Sequence, residues 1–170
     1  MAAPDLTRAF LDFSRDKLLD EFFPRMRTCV ESLTEDQVWW RPNEASNSIG
    51  NLLLHLNGNV RQWLITSFNQ QEDARQRSSE FAERSHLPAH VLLDRLAATL
   101  NETATVLNRL TADDLAAPIE IQGYSVTGLE AVYHVVEHFG LHYGQICYIT
   151  KMLRAENLGF YKELDATGRA

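Results

Sequence analysis

Four stretches of the chain carry apolar residues at a spacing of three to four, and polar runs with proline, glycine or asparagine separate them. In "DLTRAFLDFSRDKLLDEFFPRMRTCVESL" the apolar positions are Leu6, Phe10, Phe13, Leu18, Phe22, Met26, Val30 and Leu33, close to a helix period. Pro24 lacks an amide hydrogen and is expected to kink this helix or break it in two. "TEDQVWWRPNEASNS" reads as a short helical turn opened by a Thr34–Gln37 capping box and ended by Pro42 and the Asn/Ser cluster. The next helix, "SIGNLLLHLNGNVRQWLITSFN", is capped by Ser48 or Asn47. Its apolar face is Ile49, Leu52, Leu53, Leu56, Val60, Trp63 and Leu64, with His55 and Asn59 beside it, one turn apart. Gly50 and Gly58 weaken a helix locally, so packing or a close backbone approach must favour them.

Residues 70–86, "QQEDARQRSSEFAERSH", break the pattern. Their alternating charge reads as a solvated excursion with at most a weak turn, too polar for core. Its length allows a non-adjacent pairing of helices. A third helix follows in "LPAHVLLDRLAATLNETATVLNRL", with Pro88 in its first turn and Val91, Leu92, Leu96, Leu100, Val106, Leu107 and Leu110 facing inward. Pro118, Gly123 and the alternation of Ile119 and Ile121 then predict a short extended segment or hairpin. Thr127 and Glu130 form a capping box for the last helix, which should run to about residue 154. In the polar tail, Phe160 and Tyr161 are expected to dock on the bundle. The expected fold is all-α: one four-helix-bundle domain over residues 1–170, with a short extended segment before the last helix.

Composition narrows the function classes. At 170 residues, with 45% hydrophobic and 23% charged positions, the chain suits one globular domain. Its net charge of −7, without a basic stripe, argues against nucleic acid or an anionic membrane surface as partner. No apolar run approaches a membrane span. The first 17 residues mix both charges and lack a long apolar region, which argues against a secretory leader, so a cytoplasmic location is expected. Cys29 and Cys147 lie in apolar helical patterns outside any Cys-x-x-Cys spacing and read as small buried residues. A disulfide between them is allowed but not implied. Trp39, Trp40 and Trp63 read as core or dimer interface rather than a substrate clamp.

The candidate chemistry lies in "AVYHVVEHFGLHYGQICYI", residues 131–149, which holds His134, His138 and His142. Residues four apart stack on a helix face, so either adjacent pair can converge on one point. His134 and His142 are roughly 12 Å apart along the axis, so all three cannot do so. A metal site would therefore need one pair and a ligand from another helix. His55 is the best supplier; His86, in a polar loop, and His90, at a helix start, are weaker. Imidazoles without a carboxylate suit Zn, Ni, Fe or Cu and leave the ion its full charge. Such an ion can lower the pKa of bound water or bind a thiolate or carboxylate. Without a metal, the same histidines would have to stay neutral and hydrogen-bonded in the interior.

Three rival motifs fit less well. His134-Val-Val-Glu137-His138 matches the inverted zinc-protease pattern, but that match is short and permissive. His138-Phe-Gly-Leu-His142 has the zincin spacing with Phe139 in place of the general base. A di-iron carboxylate site needs two Glu-x-x-His motifs, and the chain has only Glu83-Arg-Ser-His86.

"HFGLHYGQI", residues 138–146, resembles the fourth-helix H-x-x-x-H-x-G-Q block of the DinB-like metalloenzyme superfamily. "IGNLLLHLNGNVRQWL", residues 49–64, resembles its second-helix block with H-L-x-x-N. The resemblance implies an up-down-down-up four-helix bundle, a divalent metal on His55, His138 and His142, and often a homodimer. It also implies thiol-dependent transferase or isomerase chemistry with a low-molecular-weight thiol. His134 departs from the ligand set. It reads either as a group hydrogen-bonded to Asn59 or a backbone carbonyl, or as an acid/base near the substrate. Asn59 shares that ambiguity, and Glu137 reads as exposed or as a partner of a ligand. Gln145, one turn past His142, is expected to reach a neighbouring helix.

Two functions follow as expectations. One is a metal-dependent thiol transferase, isomerase or hydrolase acting on a small electrophile, with Zn or Ni. The other is a non-catalytic, stress-associated dimer in which the metal only ties helices together.

Overall fold

The computed structural model describes residues 5–162. Residues 1–4, the start of the stretch weighed as a leader, and residues 163–170, the end of the tail, lie outside them. Helix α1, Leu6–Asp16, is capped by the Asp5 carboxylate on the Arg8 amide at 3.2 Å. It passes through a π-helical turn, Lys17–Phe22, straight into α2, Phe23–Glu31. Pro24 therefore does not break the helix. The Phe23 amide bonds back to Leu18, five residues earlier, so the ladder has already changed register where the proline amide is missing.

The short helix α3, Glu35–Trp39, carries the Thr34–Gln37 capping box. Helix α4, Ile49–Val60, opens on Ser48 with Asn51 completing its box, and a second π turn, Arg61–Thr66, extends it. Residues 70–86 contain a further helix, α5, Arg77–Ala82. Helix α6 is Ala89–Arg109 and α7 is Ala112–Ala116. Strands β1, Pro118–Ile121, and β2, Tyr124–Thr127, form an antiparallel hairpin pairing Ile119 with Val126 and Ile121 with Tyr124. Gln122 and Gly123 turn it, both with positive φ (54° and 80°). Helix α8, Gly128–Arg154, opens on the Thr127–Glu130 box.

The structure is mostly helical, with only this small sheet. Helix α4 packs on α6 and α8, and α8 also packs on α2. Leu11, Leu53, Leu56, Leu96, Val135 and Phe139 sit in their shared core, none of them solvent-exposed. Gly50 explains itself here: a Cβ would meet the Trp39 ring at 2.8 Å. Trp39 donates its indole N–H to the Leu87 carbonyl at 3.0 Å. Phe160 packs on the core, and the Arg25 guanidinium lies 5.0 Å from the Tyr161 ring centroid. Among the described residues, no helix is long and apolar enough to cross a membrane.

Candidate metal centre

The Ser48–Asn51 box starts α4 so that His55 falls two turns in, buried, on the side packed against α8. On α8, His138 and His142 are one turn apart. Their rings meet that of His55 through one nitrogen each. His138 Nε2 lies 3.1 Å from His55 Nε2 and 3.1 Å from His142 Nε2. One nitrogen from each of the three residues falls within 4.8 Å of the others. His134 is not part of this meeting. Its Nε2 faces the Asn59 amide nitrogen at 3.3 Å, and its ring packs on Trp63, centroids 4.0 Å apart.

The outer nitrogens of two rings are held by oxygen atoms. The His55 Nδ1–H donates to Glu80 Oε2 at 2.9 Å, and the His142 Nδ1–H donates to Gln145 Oε1 at 2.7 Å. Gln145 thus serves its own helix rather than a neighbouring one. Glu80 comes from the excursion expected to be solvated. It is buried, and Arg75 grips it through Nε at 2.7 Å and Nη2 at 2.9 Å. The Arg75 Nη1 also donates to Gln62 Oε1 at 2.8 Å, and the Asn51 amide donates to the Glu80 carbonyl at 2.9 Å. Charge density along residues 70–86 suggested exposure. The ion pair neutralises itself, however, and the polar stripe of Asn51 and His55 on α4 and Gln62 on the π turn that extends it supplies its remaining hydrogen bonds. That buried polar stripe, together with opposite charges five apart in the excursion, was the available signal. Gly58 belongs to the same contact: a Cβ there would overlap Glu80 Oε1 and meet Arg75 Nε at 2.8 Å.

His55 Nδ1 also lies 3.1 Å from Arg75 Nη2, but its shorter contact is to a carboxylate oxygen, which only accepts, so the proton is assigned to Nδ1. With His55 and His142 protonated at Nδ1, both Nε2 atoms present lone pairs to His138 Nε2. A proton on His138 Nε2 satisfies only one of them. His138 Nδ1 is buried without a hydrogen-bond partner among the described residues, whichever nitrogen carries the proton. Protonating the ring fully is disfavoured. Burial, then the neighbouring His142, His55 and His134 and Arg75, push its pKa down to about 3. Burial likewise lowers His142 and His134. Glu80 goes the other way from a buried acid: burial raises its pKa, but the hydrogen bonds from Arg75 and His55 and the Arg75 charge outweigh this and lower it. Protonation of His138 and His142 is thus disfavoured, and the ring nitrogens that converge carry lone pairs, the form in which histidine ligates a cation. The two contacts to His138 fit as well: with bonds of about 2.0–2.1 Å, nitrogens 3.1 Å apart subtend roughly 95–100° at an ion.

A cavity of about 460 Å³ adjoins the cluster, lined among others by His55, His138, His134, Asn59, Trp63 and Arg77. Trp63 Nε1 and Asn59 Oδ1 are buried without a hydrogen-bond partner among the described residues. Arg77 lies over the Phe81 ring at 4.9 Å, and Phe81 packs on His55 with centroids 4.6 Å apart. Glu137 is exposed. His86 stacks on Trp39, centroids 5.4 Å apart, and His90 is exposed at the start of α6. Neither Trp39 nor Trp63 is surface: both belong to the core, Trp63 also walling the cavity.

Fold and cluster together define a small helical protein with three convergent imidazoles beside an open cavity. The chain belongs to the DUF1572 family, described as a protein of unknown function, whose pattern matches residues 5–163. A solved structure described as the conserved protein of locus from Enterococcus faecalis is similar in fold. It has a TM-score of 0.73 and 18% identity over 91% of this chain and 100% of that one. No curated protein sequence matches the chain.

Proposed function

We propose that this chain is a metal-dependent enzyme of the DinB-like class, an up-down-down-up four-helix bundle holding a divalent cation, zinc or nickel, on His55, His138 and His142. One observation carries the reading. Three ring nitrogens converge while the opposite nitrogens of His55 and His142 are committed to Glu80 and Gln145. A cation resolves the lone-pair conflict that no single proton resolves. When bound, it supplies Lewis acidity and lowers the pKa of a thiol or water.

The residues of the chain do the rest. Glu80 and Gln145 orient two of the rings, and Arg75 keeps Glu80 ionised. The unpartnered Trp63 N–H and Asn59 carbonyl offer a donor and an acceptor to a polar substrate in the cavity. His134, neutral and beside the cluster, can accept a proton there. A low-molecular-weight thiol and a small electrophile fit this arrangement of charge and volume. The exposed apolar residues of α8, Tyr133, Leu141, Tyr148 and Met152, support a homodimer in the same reading.

The test is metal analysis of the zinc- or nickel-loaded protein beside His55→Ala, His138→Ala and His142→Ala, with turnover of small electrophiles in the presence of low-molecular-weight thiols. Each variant is expected to lose the metal and the turnover. Undiminished metal content in any of them refutes the ligand set. Tight metal without turnover, with only a lower melting temperature on chelation, would leave a metal that braces the helices.

A further inference from the structure

A second group of reactive side chains lies away from the cavity, where α2 meets α8. Cys29, on α2, is fully buried, and Cys147, on α8, is half-buried. Both are free thiols, and their sulfurs are 3.8 Å apart although the residues are 118 positions apart in sequence. A disulfide bond is about 2.05 Å long, so closure needs an approach of roughly 1.8 Å. The two thiols are not equivalent. The Cys29 thiol directed at its sulfur brings Cys147 down to about 7 against the effect of burial, with Tyr143, Lys151 and Arg25 acting in the same direction. Cys29 is pushed up, by its contact with Cys147 and by burial. One sulfur is therefore the accessible nucleophile, and the other is a protonated thiol waiting against it.

We propose that Cys29 and Cys147 are a redox pair that closes to an intramolecular disulfide when the protein meets a hydroperoxide. In the first step the Cys147 thiolate attacks the terminal peroxide oxygen. An S–O bond forms and the O–O bond breaks. The leaving alkoxide or hydroxide takes a proton from water, and Cys147 is left as a sulfenic acid. The peroxide has been reduced and the sulfur oxidised by two electrons. In the second step the Cys29 sulfur attacks the Cys147 sulfur, the S–O bond breaks, and the departing hydroxide leaves as water with the Cys29 proton. The bond staples the first helical run to the helix that carries His138 and His142. Nothing in this step depends on the metal reading.

The test uses the full-length protein, fully reduced and desalted, both metal-loaded and metal-stripped. It is exposed to a few equivalents of hydrogen peroxide, denatured in N-ethylmaleimide and weighed intact. The expected mass is lower by two hydrogens with no maleimide adduct, and both adducts return after a dithiol reductant. Digestion should join the peptide carrying Cys29 to that carrying Cys147. In Cys29→Ser, the Cys147 sulfenic acid should accumulate and be trapped by dimedone; in Cys147→Ser, Cys29 should stay reduced. The wild-type cross-link is decisive even if a variant folds poorly. Two maleimide adducts on peroxide-treated wild type, or a cross-link only between two chains, would overturn the proposal.

Discussion

Glu80→Gln isolates the contribution of one carboxylate to both stability and metal affinity. The wild-type carboxylate has a side chain 10% exposed, faces an Arg75 side chain 6% exposed, and accepts the His55 Nδ1–H at 2.9 Å. Glutamine keeps the shape and one acceptor but leaves the Arg75 charge without its counter-ion. Removing one partner of a buried pair costs about 3–5 kcal/mol, and the retained acceptor puts this change near 3. At about 2–4 °C per kcal/mol for a chain of this size, the metal-free protein should melt roughly 6–12 °C lower. The same change weakens the orienting bond on a ligand ring, which typically lowers metal affinity by about 10–100-fold. Competition titration with a chromophoric zinc chelator measures that loss. Arg75→Met combined with Glu80→Gln should recover stability but not affinity, because only the ion pair has been relieved. The pH dependence adds a third readout. The folded protein holds the Glu80 pKa below its ordinary range, so the unfolded chain binds this proton at higher pH. Stability from Glu80 is therefore fully present above the ordinary carboxyl range and is lost as pH falls through the folded value. Glu80→Gln should flatten that part of the curve. A variant melting within 2 °C of wild type with affinity unchanged, a limit set against the roughly 6–12 °C expected, would show that residues 70–86 do not hold His55.

Other changes probe the remaining supports. Gly58→Ala raises helix propensity by about 1 kcal/mol but drives a Cβ into Glu80 and Arg75, so overpacking of about 1–3 kcal/mol should dominate. A thermal melt showing a stabilised variant would contradict that contact. Gln145→Ala removes the acceptor of the His142 Nδ1–H from an exposed position. Stability should stay within about 0.5 kcal/mol while metal affinity falls about tenfold, both measurable on one preparation. His134→Asn should keep the full metal content and lose turnover; loss of the metal instead would bring His134 into the ligand set. Asn51→Ala breaks the α4 capping box and the amide bonds to the Glu80 and Glu83 carbonyls, and should lower stability by about 2 kcal/mol in urea titration.

The helices were legible because burial imposes a period, and capping boxes mark its start. Thr34 and Thr127 cap as their spacing indicates, and of the two candidates Ser48 and Asn47 it is Ser48 that caps α4. The hairpin before α8 followed from Pro118, Gly123 and the Ile119–Ile121 alternation. Pro24 does not break the helix, because a missing amide is tolerated where the backbone has already moved to π register, and periodicity does not register such a turn. The meeting of His55 with His138 and His142 was only half legible. The four-residue spacing placed two rings on one stripe. Which pair joined His55 depended on how α4 and α8 pack, a long-range property that periodicity does not carry.

Residues 70–86 show the limit most clearly. Local composition predicts burial only when each side chain is judged against water, yet Arg75 and Glu80 are buried against each other. Each is a poor core residue alone, and together they form a neutral, multiply hydrogen-bonded unit that α4 receives over Gly58. The unit also acts beyond the packing. It presents an ionised carboxylate to the outer nitrogen of His55 and so directs the inner nitrogen, unprotonated, toward His138. Gln145 does the same for His142 with a neutral acceptor from its own helix. The two rings are thus oriented by supports of different charge and different origin. An ionised partner makes an imidazole the stronger base, so His55 should contribute more to cation affinity than His142. His55→Ala should accordingly weaken zinc binding more than His142→Ala in the same competition titration. Equal losses would mean that Glu80 orients the ring without strengthening it as a ligand.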